Sequence, residues 1–378
     1  MNFSEVRYQP EKSGVYLGSP SIIRLEDGVL IASHDYFEKE NNREIRISEI
    51  YRSEDDGSTW LNVNHLSGAF WGTLFICGGS LYHISIRCEY GDVVIRRSTD
   101  NGYSWTFPKD EKSGLLFKAG PELIPPNYHF GGATPVFIHN GRIYKACENL
   151  VQPESDRNCG WRADYFRAAV ISAPVDADLL DAASWTMSNE VAFDYRKLNQ
   201  MRPGLAAETS GWLEGNVLMG LDGRLHSVMR IHLEENNKAA ILSLSEDGRK
   251  LEFDYSTGIT DFPGGASKFT IRQDPVTGLY FTISNPVLDP EFPSQRNVLT
   301  ISASKNLRDW RELKILLTDD TGLDPQMSAR LTGFQYVDWQ FDGDDLIYLV
   351  RMGYRGAHNF HDSNRITYHC LKNFRSLL

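Results

Sequence analysis

The chain of 378 residues has a formal net charge of −11 and no run rich in Lys or Arg, so no nucleic-acid or anionic-membrane partner is expected. It shows neither the basic and apolar segments of a signal peptide nor an apolar run near the ~20 residues of a membrane span. The cysteines are odd in number, lack metal-type spacing and are expected to be free thiols in a reducing compartment: Cys77, Cys88, Cys147, Cys159 and Cys370. These features predict a soluble, cytoplasmic protein.

Alternation of apolar and polar residues dominates the chain and predicts strands joined in hairpins. In the first hairpin, residues 21–33, Asp27 and Gly28 form the bend. Five later segments have the same apolar–turn–apolar form. They span residues 73–86, 135–147, 216–230, 268–284 and 335–351, with bends at residues 78–79, 140–141, 222–223, 275–278 and 342–343.

Each predicted hairpin is followed by a third apolar strand that runs into a turn. The units recur at about 63 residues, which divides the chain into six. Short strands at such regular spacing predict an all-β fold, a six-bladed β-propeller of four-stranded antiparallel blades, as a single domain over residues 1–378. The strand near residues 366–370 is expected to close the ring against N-terminal residues.

The turns after the first two units share the pattern Ser-x-Asp-x-Gly-x-(Ser/Thr)-Trp, at residues 53–60 and 98–105. Asp55 and Asp100 are placed to accept backbone N–H bonds within a tight turn, and the glycine two residues later supplies a positive φ. We expect these turns to be scaffold elements and their carboxylates to be non-catalytic.

This repeated turn resembles the Asp-box, or BNR repeat, of sialidases, and the resemblance covers most of the chain. Sialidases bind the substrate carboxylate with three arginines and use a tyrosine nucleophile assisted by a glutamate, with an aspartate as acid/base catalyst. Four positions match in order and context. The resemblance implies that Glu214 and Tyr336 are catalytic and that Arg230 and Arg296 bind substrate.

Two positions of the sialidase pattern differ. Residues 18–20 read Gly-Ser-Pro where the first arginine of the family stands, which leaves two arginines at most and favours a substrate other than sialic acid. The acid/base region after the first hairpin holds His34 and Asp35. Because histidine titrates near neutral pH, these two residues are candidates for the acid/base role.

Further polar residues are expected to contact substrate. His129 lies at the start of the third hairpin, and Arg162 lies with Trp161 in a long connection. The segment 353–369 is the densest polar cluster and contains His358, His361 and Asp362. That cluster is interpreted as a sugar-binding loop, with a divalent-metal site or a solvated loop as alternatives.

Three functions remain open at this point. The first is a glycoside hydrolase acting on an acidic or deoxy sugar of an oligosaccharide, without a cofactor. The second is a lyase on uronate-containing glycans, in which His or Tyr removes a proton and arginines neutralise the carboxylate. The third is a non-catalytic glycan-binding propeller, because fold does not fix function. The matches at Glu214 and Tyr336 favour an enzyme.

Overall fold

The computed structural model describes residues 3–38, 46–121, 124–156 and 160–378; Cys159 lies outside these ranges. No disulfide joins the four cysteines of the described residues. Within these ranges no helix combines the length and apolar character of a membrane span.

The strands are grouped in six antiparallel sheets, which confirms the predicted propeller. Strand β1 (Ser4–Tyr8) precedes blade 1. Blade 1 contains β2 (Val15–Leu17), β3 (Ser21–Arg24), β4 (Leu30–Glu38), β5 (Ile47–Ser53) and β6 (Leu61–Ser67). Blade 2 contains β7 (Phe70–Cys77), β8 (Ser80–Ile86), β9 (Val93–Ser98) and β10 (Leu115–Phe117). Blade 3 contains β11 (Tyr128–His129), β12 (Phe137–His139), β13 (Arg142–Leu150), β14 (Phe166–Pro174), β15 (Thr186–Met187) and β16 (Val191–Ala192).

After helix α1 (Tyr195–Met201), blade 4 contains β17 (Gly211–Met219), β18 (Leu225–His232), β19 (Lys238–Leu244), β20 (Leu251–Glu252) and β21 (Ile259–Asp261). Blade 5 contains β22 (Thr270–Gln273), β23 (Tyr280–Ser284), β24 (Val298–Ser304) and β25 (Trp310–Thr318). After helix α2 (Pro325–Leu331), blade 6 contains β26 (Gly333–Asp342), β27 (Asp345–Gly353) and β28 (Arg365–Leu371). The Asp194 and Asp324 side chains cap the two helices.

The ring closes between the two ends of the chain. Strand β1 pairs antiparallel with β28, from Ser4 opposite Tyr368 to Tyr8 opposite Arg365, and so becomes the fourth strand of blade 6. The predicted closure is therefore confirmed. Strands of neighbouring blades contact one another, as β4 and β7 do and as β13 and β17 do. Residues far apart in sequence thereby meet at the axis.

Apolar side chains fill the space between neighbouring blades. Ile84 and Ile171 belong to the core between blades 2 and 3, and Ile301 and Val350 to the core between blades 5 and 6; all four are 0% exposed. Each such aliphatic side chain contributes about 1.5–3 kcal/mol when removed from water. The ring is therefore stabilised by blade-to-blade packing, which holds the axial residues rigidly.

The repeated turns are built as the sequence predicts. Asp55 accepts hydrogen bonds from the backbone N–H of Thr59 at 2.8 Å and from its hydroxyl at 2.7 Å, and Gly57 has φ of 81°. The indole N–H of Trp60 bonds back to the Gly57 carbonyl at 3.1 Å. The turn at Asp100 repeats this arrangement. These carboxylates are occupied by their own turns and lie outside the axial cavity described below.

Candidate active site

Three residues point toward the axis from the same kind of backbone irregularity. Trp71, Glu214 and Tyr336 have φ of 51°, 58° and 53°, which non-glycine residues rarely adopt. Each lies in a β-bulge of the first strand of blade 2, 4 or 6, where the pairing register shifts. A bulge re-aims a side chain, and strained backbone is concentrated at functional sites. The fold therefore directs one side chain from every second blade to a common point.

Two arginines occupy equivalent positions beside these bulges. Arg230 pairs across the ladder with Leu213, the residue before Glu214. Arg351 pairs in the same way with Gln335, the residue before Tyr336. The third arginine, Arg296, lies in the connection to β24 and forms a parallel bridge with Gly333 at the start of β26. Three guanidinium groups from blades 4, 5 and 6 thus converge.

These side chains line a cavity of about 370 Å³ at the axis. Leu213 and Glu214, the three arginines, Trp71 and Tyr336 contribute to its wall. The remaining lining residues are Phe37, Arg46, Phe70, Glu89, Tyr90, His129, Trp161 and His361. The cavity therefore combines the positive charge of arginines with aromatic surface, the combination expected for binding a charged, hydroxylated ligand.

Tyr336 lies among the arginines, and it and Glu214 both interact with Arg230. Glu214 Oε2 accepts a hydrogen bond from Arg230 Nη1 at 2.8 Å, and both side chains are buried. The guanidinium carbon of Arg351 lies 4.8 Å from the centre of the Tyr336 ring, and that of Arg296 lies 5.7 Å from it. Burial lowers the pKa of Arg230, but the Glu214 carboxylate and Tyr336 outweigh burial and leave that pKa raised. The site therefore holds fixed positive charge around the phenol oxygen.

Arg296 and Arg351 are buried cations without a carboxylate partner. Both are at least nine-tenths buried, and no carboxylate of the described residues lies within ion-pair distance of either. Arg296 donates instead to the Gln335 side chain, and Arg351 Nη2 donates to the His361 carbonyl at 2.6 Å. Burial lowers the pKa of Arg296 to about 10, and the charges of Arg230 and Arg351 act in the same direction. Unpaired buried guanidinium groups favour an anionic ligand.

A glycine pair packs against Tyr336 and Glu214. A Cβ atom at Gly131 would lie 2.2 Å from Cγ of Glu214, and one at Gly132 would lie 2.7 Å from Cδ1 of Tyr336. Both glycines also have positive φ, 46° and 84°. Only glycine can hold this backbone against the two side chains. The segment after β11 therefore fixes the positions of both groups.

His129 precedes this glycine pair and is oriented by a buried carboxylate. Its Nδ1 lies 2.7 Å from Oε2 of Glu148, the residue opposite it in the ladder. Glu148 is 1% exposed, and the ring of Trp71 stands edge-on to His129 with a centroid distance of 4.5 Å. The arrangement fixes the ring of a titratable group in the cavity wall.

Comparison with known proteins shows the fold. No family model matches the chain, and neither does any curated protein sequence. Among solved structures, the Penicillium chrysogenum α-L-arabinanase complexed with arabinobiose superposes with a TM-score of 0.59 at 14% identity, over 99% of this chain and 98% of that one. The Trypanosoma rangeli sialidase in complex with sialic acid gives 0.59 at 14%, over 97% of this chain and 57% of that one. A Hadza microbial sialidase gives 0.60 at 14%, over 98% and 68%. The chain has a sialidase-like propeller fold.

The structure brings six of the predicted site residues together in the cavity wall: Glu214, Arg230, Arg296, Tyr336, His129 and His361. His34 is placed elsewhere. Its ring is 0% exposed, with Nδ1 at 3.1 Å from the Asp35 carbonyl and Nε2 at 3.4 Å from the Tyr51 hydroxyl. Burial lowers its pKa to about 4. Because this ring packs against Tyr51 inside blade 1, His34 does not line the cavity, and its predicted acid/base role needs correction.

Asp35 lies behind the cavity wall and fills the space beside Gly18. A Cβ at Gly18 would lie 2.3 Å from Asp35 Oδ1, so no larger residue fits at the position of the first arginine in the sialidase pattern. The other carboxylate oxygen accepts the backbone N–H of Trp71 at 2.9 Å. Burial raises the pKa of Asp35 to about 6, although the Trp71 N–H and Arg351 lower it. Asp35 is therefore placed to hold the Trp71 bulge, not to contact a ligand directly.

The loop after β27 forms one rim through His361. The Asp362 carboxylate contacts both of its histidine neighbours, His358 Nδ1 at 2.7 Å and His361 Nδ1 at 3.0 Å, and the His358 ring stacks on Tyr16. Among the described residues no cluster of three or more His, Cys, Asp or Glu side chains forms a metal site. Of the three predicted loop residues, only His361 reaches the cavity.

Arg162 does not line the cavity either, whereas its neighbour does. Its guanidinium forms a two-point contact with Asp164, with both N–O distances 2.9 Å, so it is held beside the cavity. Trp161 supplies the lining instead and remains 52% exposed.

Sequence analysis did not identify Arg351, which lines the cavity together with Arg230 and Arg296, whereas residues 18–20 contain no arginine. The signal was present in the sequence: "SVMRI" ends the hairpin of blade 4, and "YLVRM" ends that of blade 6. Residues at the same position of repeated units lie at corresponding places in their own blades, and so at the same level along the axis. Trp71 and the glycine pair were also missed, since neither a bulge nor a close backbone approach can be read from period-2 alternation.

Proposed function

We propose that this protein is a glycoside hydrolase that acts on a glycan carrying an anionic sugar, with Tyr336 as nucleophile and Glu214 as its base. The observation that carries the proposal is the placement of the Tyr336 ring between Arg296 and Arg351, beside the Glu214–Arg230 pair. The arabinanase and the sialidases with the same fold are carbohydrate-active by their names, which supports a carbohydrate substrate.

The charge of the substrate follows from the arginines. Two buried guanidinium groups without carboxylate partners gain most from a ligand carboxylate that can accept two hydrogen bonds. Each charge-assisted hydrogen bond contributes about 1.5–3 kcal/mol. Since Arg351 supplies a third arginine, carboxylated sugars in general, sialic acid among them, are candidate substrates.

An anionic sugar explains why a tyrosine serves where most glycosidases use a carboxylate. A neutral phenol approaches the anomeric carbon without repulsion from the sugar's own carboxylate. A free phenol has a pKa of about 10 and is a weak nucleophile at neutral pH. In the proposed step Glu214 accepts the phenol proton as the oxygen attacks, and the arginines stabilise the negative charge that develops.

His129 is the candidate for proton transfer at the leaving group. It lines the cavity, and Glu148 fixes its ring by the 2.7 Å contact. In the first step it donates a proton to the glycosidic oxygen, and in the second it accepts one from the water that cleaves the glycosyl–tyrosine bond. Asp35 acts indirectly, by accepting the backbone N–H of the Trp71 bulge in the cavity wall.

The experiment is incubation with a panel of acidic glycans, followed by assays for new reducing ends and for ultraviolet absorbance. A hydrolase releases reducing ends without absorbance. An unsaturated uronate product would instead establish the lyase reaction, in which Tyr336 or His129 removes a proton next to the bound carboxylate. Binding of acidic glycans without any product would establish a binding module.

A further inference from the structure

Each of the three bulges in the cavity wall is hydrogen-bonded to a buried charged side chain from the preceding blade. A bulge leaves backbone groups outside the strand ladder, and buried backbone groups need other partners. Asp35 of blade 1 accepts the N–H of Trp71. Glu148 of blade 3 accepts the N–H of Gly215, the second residue of the bulge in blade 4, at 3.4 Å. The bulge that presents Tyr336 has the same need.

For the bulge in blade 6 the charged side chain is Lys268, which lies two residues before β22 of blade 5. Its Nζ donates a hydrogen bond to the carbonyl of Val337, the residue after Tyr336, at 2.6 Å. It donates a second one to Oγ1 of Thr270 at 2.8 Å. The Thr270 hydroxyl donates to the same Val337 carbonyl at 2.9 Å. The carbonyl next to Tyr336 therefore accepts from two buried donors, one of which is an ammonium group.

The ammonium group of Lys268 is buried without an ion pair. The residue is 2% exposed, and no carboxylate of the described residues lies within ion-pair distance of its Nζ. Burying an unpaired charge is costly, and a neutral amide could donate the same hydrogen bond at lower cost. Hydrogen bonds from a charged donor are, however, shorter and stronger than neutral ones. The charge therefore strengthens the contact with the Val337 carbonyl beyond what a neutral donor would give.

The charged groups around Lys268 bring its titration near the neutral range. Burial lowers the pKa of Lys268 to about 8. The carboxylates of Asp338 and Glu214 act against burial, whereas the cations of Arg272 and Lys145 act with it. The side chain is therefore an ammonium group at neutral pH. As the pH rises through about 8 it becomes a neutral amine, and its hydrogen bond to the bulge carbonyl weakens.

We propose that Lys268 is a positioning residue for Tyr336: its ammonium group holds the Val337 carbonyl and so fixes the bulge that directs the tyrosine into the cavity. The inference rests on the proposed function where it concerns catalysis. The coupling between the lysine and the tyrosine is a property of the fold, however, and can be measured without substrate. When the amine is neutral, the bulge is held less firmly and Tyr336 is less well placed to react.

The first test is an NMR titration, without substrate, of protein that is isotopically labelled in its tyrosine rings. The Tyr336 signal is identified by its loss in Tyr336→Phe. We expect this signal to shift with a midpoint near pH 8 in the wild type, and we expect no such midpoint in Lys268→Met. The control is Lys145→Met, which removes a lysine that is equally buried but donates to Thr134 at 2.6 Å instead of to the bulge. That variant should retain the titration at a slightly higher pH, because one neighbouring cation is gone.

The second test measures turnover of an acidic glycan that the wild type cleaves. Lys268→Met should lower kcat about 10- to 100-fold, the scale for displacing a reacting group by about 1 Å. KM should change little, because the three arginines of the cavity remain. The kcat of the wild type should fall as the pH rises through about 8, and this dependence should be absent from Lys268→Met. A purely structural lysine would change the melting temperature without changing either pH dependence.

A second variant keeps the inference testable if Lys268→Met does not fold. Thr270→Val is nearly isosteric and removes the hydroxyl that contacts both the ammonium group and the Val337 carbonyl. Because the ammonium group loses an acceptor, the midpoint of the Tyr336 signal should move to lower pH. An unmoved midpoint in Thr270→Val would overturn the inference.

The outcomes separate this inference from the proposed function. A Tyr336 signal that titrates alike in the wild type and in Lys268→Met, or an unchanged kcat in that variant, overturns the positioning role and leaves the proposed function standing. Failure of the wild type to cleave any acidic glycan overturns the proposed function. The NMR titration then decides by itself whether Lys268 fixes the Tyr336 bulge.

Discussion

Substitution of Gly132 by alanine tests whether the glycine pair fixes the catalytic tyrosine. The new Cβ would lie 2.7 Å from Cδ1 of Tyr336, against the 3.4 Å of ordinary contact, so the ring must move by roughly 0.7 Å. Displacement of a reacting group by about 1 Å can cost about 100-fold in rate. We therefore expect kcat to fall on the order of 10- to 100-fold on whichever acidic glycan the wild-type protein cleaves.

Gly132 has a positive φ, so alanine there also destabilises the backbone, and a control variant must carry the same backbone cost. Gly141 has φ of 71°, and a Cβ there would meet nothing within 4 Å. Gly141→Ala should therefore share the cost of about 1–2 kcal/mol for a left-handed alanine without disturbing the site. Both variants should melt at lower temperature, but only Gly132→Ala should lose kcat. Full activity in Gly132→Ala, or an equal loss in both, would refute the placement of Tyr336.

Three further predictions follow from the same geometry. Arg351→Met should lower kcat/KM on acidic glycans about 10- to 100-fold, mostly through KM, because a charge-assisted contact to the substrate is lost. The control variant Arg355→Met, at an exposed arginine, should leave kcat/KM unchanged. Equal effects of the two substitutions would argue against an anion site at Arg351. Asp100→Ala should reduce the free energy of unfolding by about 1 kcal/mol, since the N–H and O–H groups of the turn lose their acceptor. Turnover per folded molecule should not change. A folded but inactive variant would contradict the scaffold role of this turn. Burial lowers the pKa of His83 to about 3. As the pH falls below 6.5, the unfolded chain therefore takes up a proton on this histidine while the folded protein does not. The free energy of unfolding should be about 2 kcal/mol lower at pH 5 than above pH 6.5. Urea unfolding of His83→Leu should show a weaker pH dependence than the wild type, whereas exposed His65→Gln should not; an unaltered slope in His83→Leu would contradict the buried neutral imidazole.

The propeller could be predicted from sequence because its signals are local and repeated. Each hairpin bend lies at a glycine that the alternation pattern isolates, such as Gly28 and Gly343, and the structure places strands on both sides of each. The convergence of Glu214 and Tyr336 could also be predicted, but only through the sialidase resemblance. Because the blades form a closed ring, residues that are far apart in the sequence can then meet at the axis.

The rest of the site depends on backbone details that sequence patterns do not carry. Whether Asp35 faces the cavity or packs against Gly18 depends on where β4 turns, and alternation alone gives no sign of it. His34 is adjacent to Asp35 and points elsewhere, since successive side chains of a strand face opposite ways. The importance of Gly131 and Gly132 is visible only when the groups they touch are in place.

The most direct test of the account is to identify the residue that becomes glycosylated during turnover. The protein is quenched with acid while it cleaves an acidic glycan, digested, and analysed by peptide mass spectrometry. The account predicts a sugar adduct on the peptide that contains Tyr336, and no adduct on the Tyr336→Phe protein under the same conditions. An adduct on Glu214, or sustained turnover by Tyr336→Phe, would contradict the assignment of Tyr336 as the nucleophile.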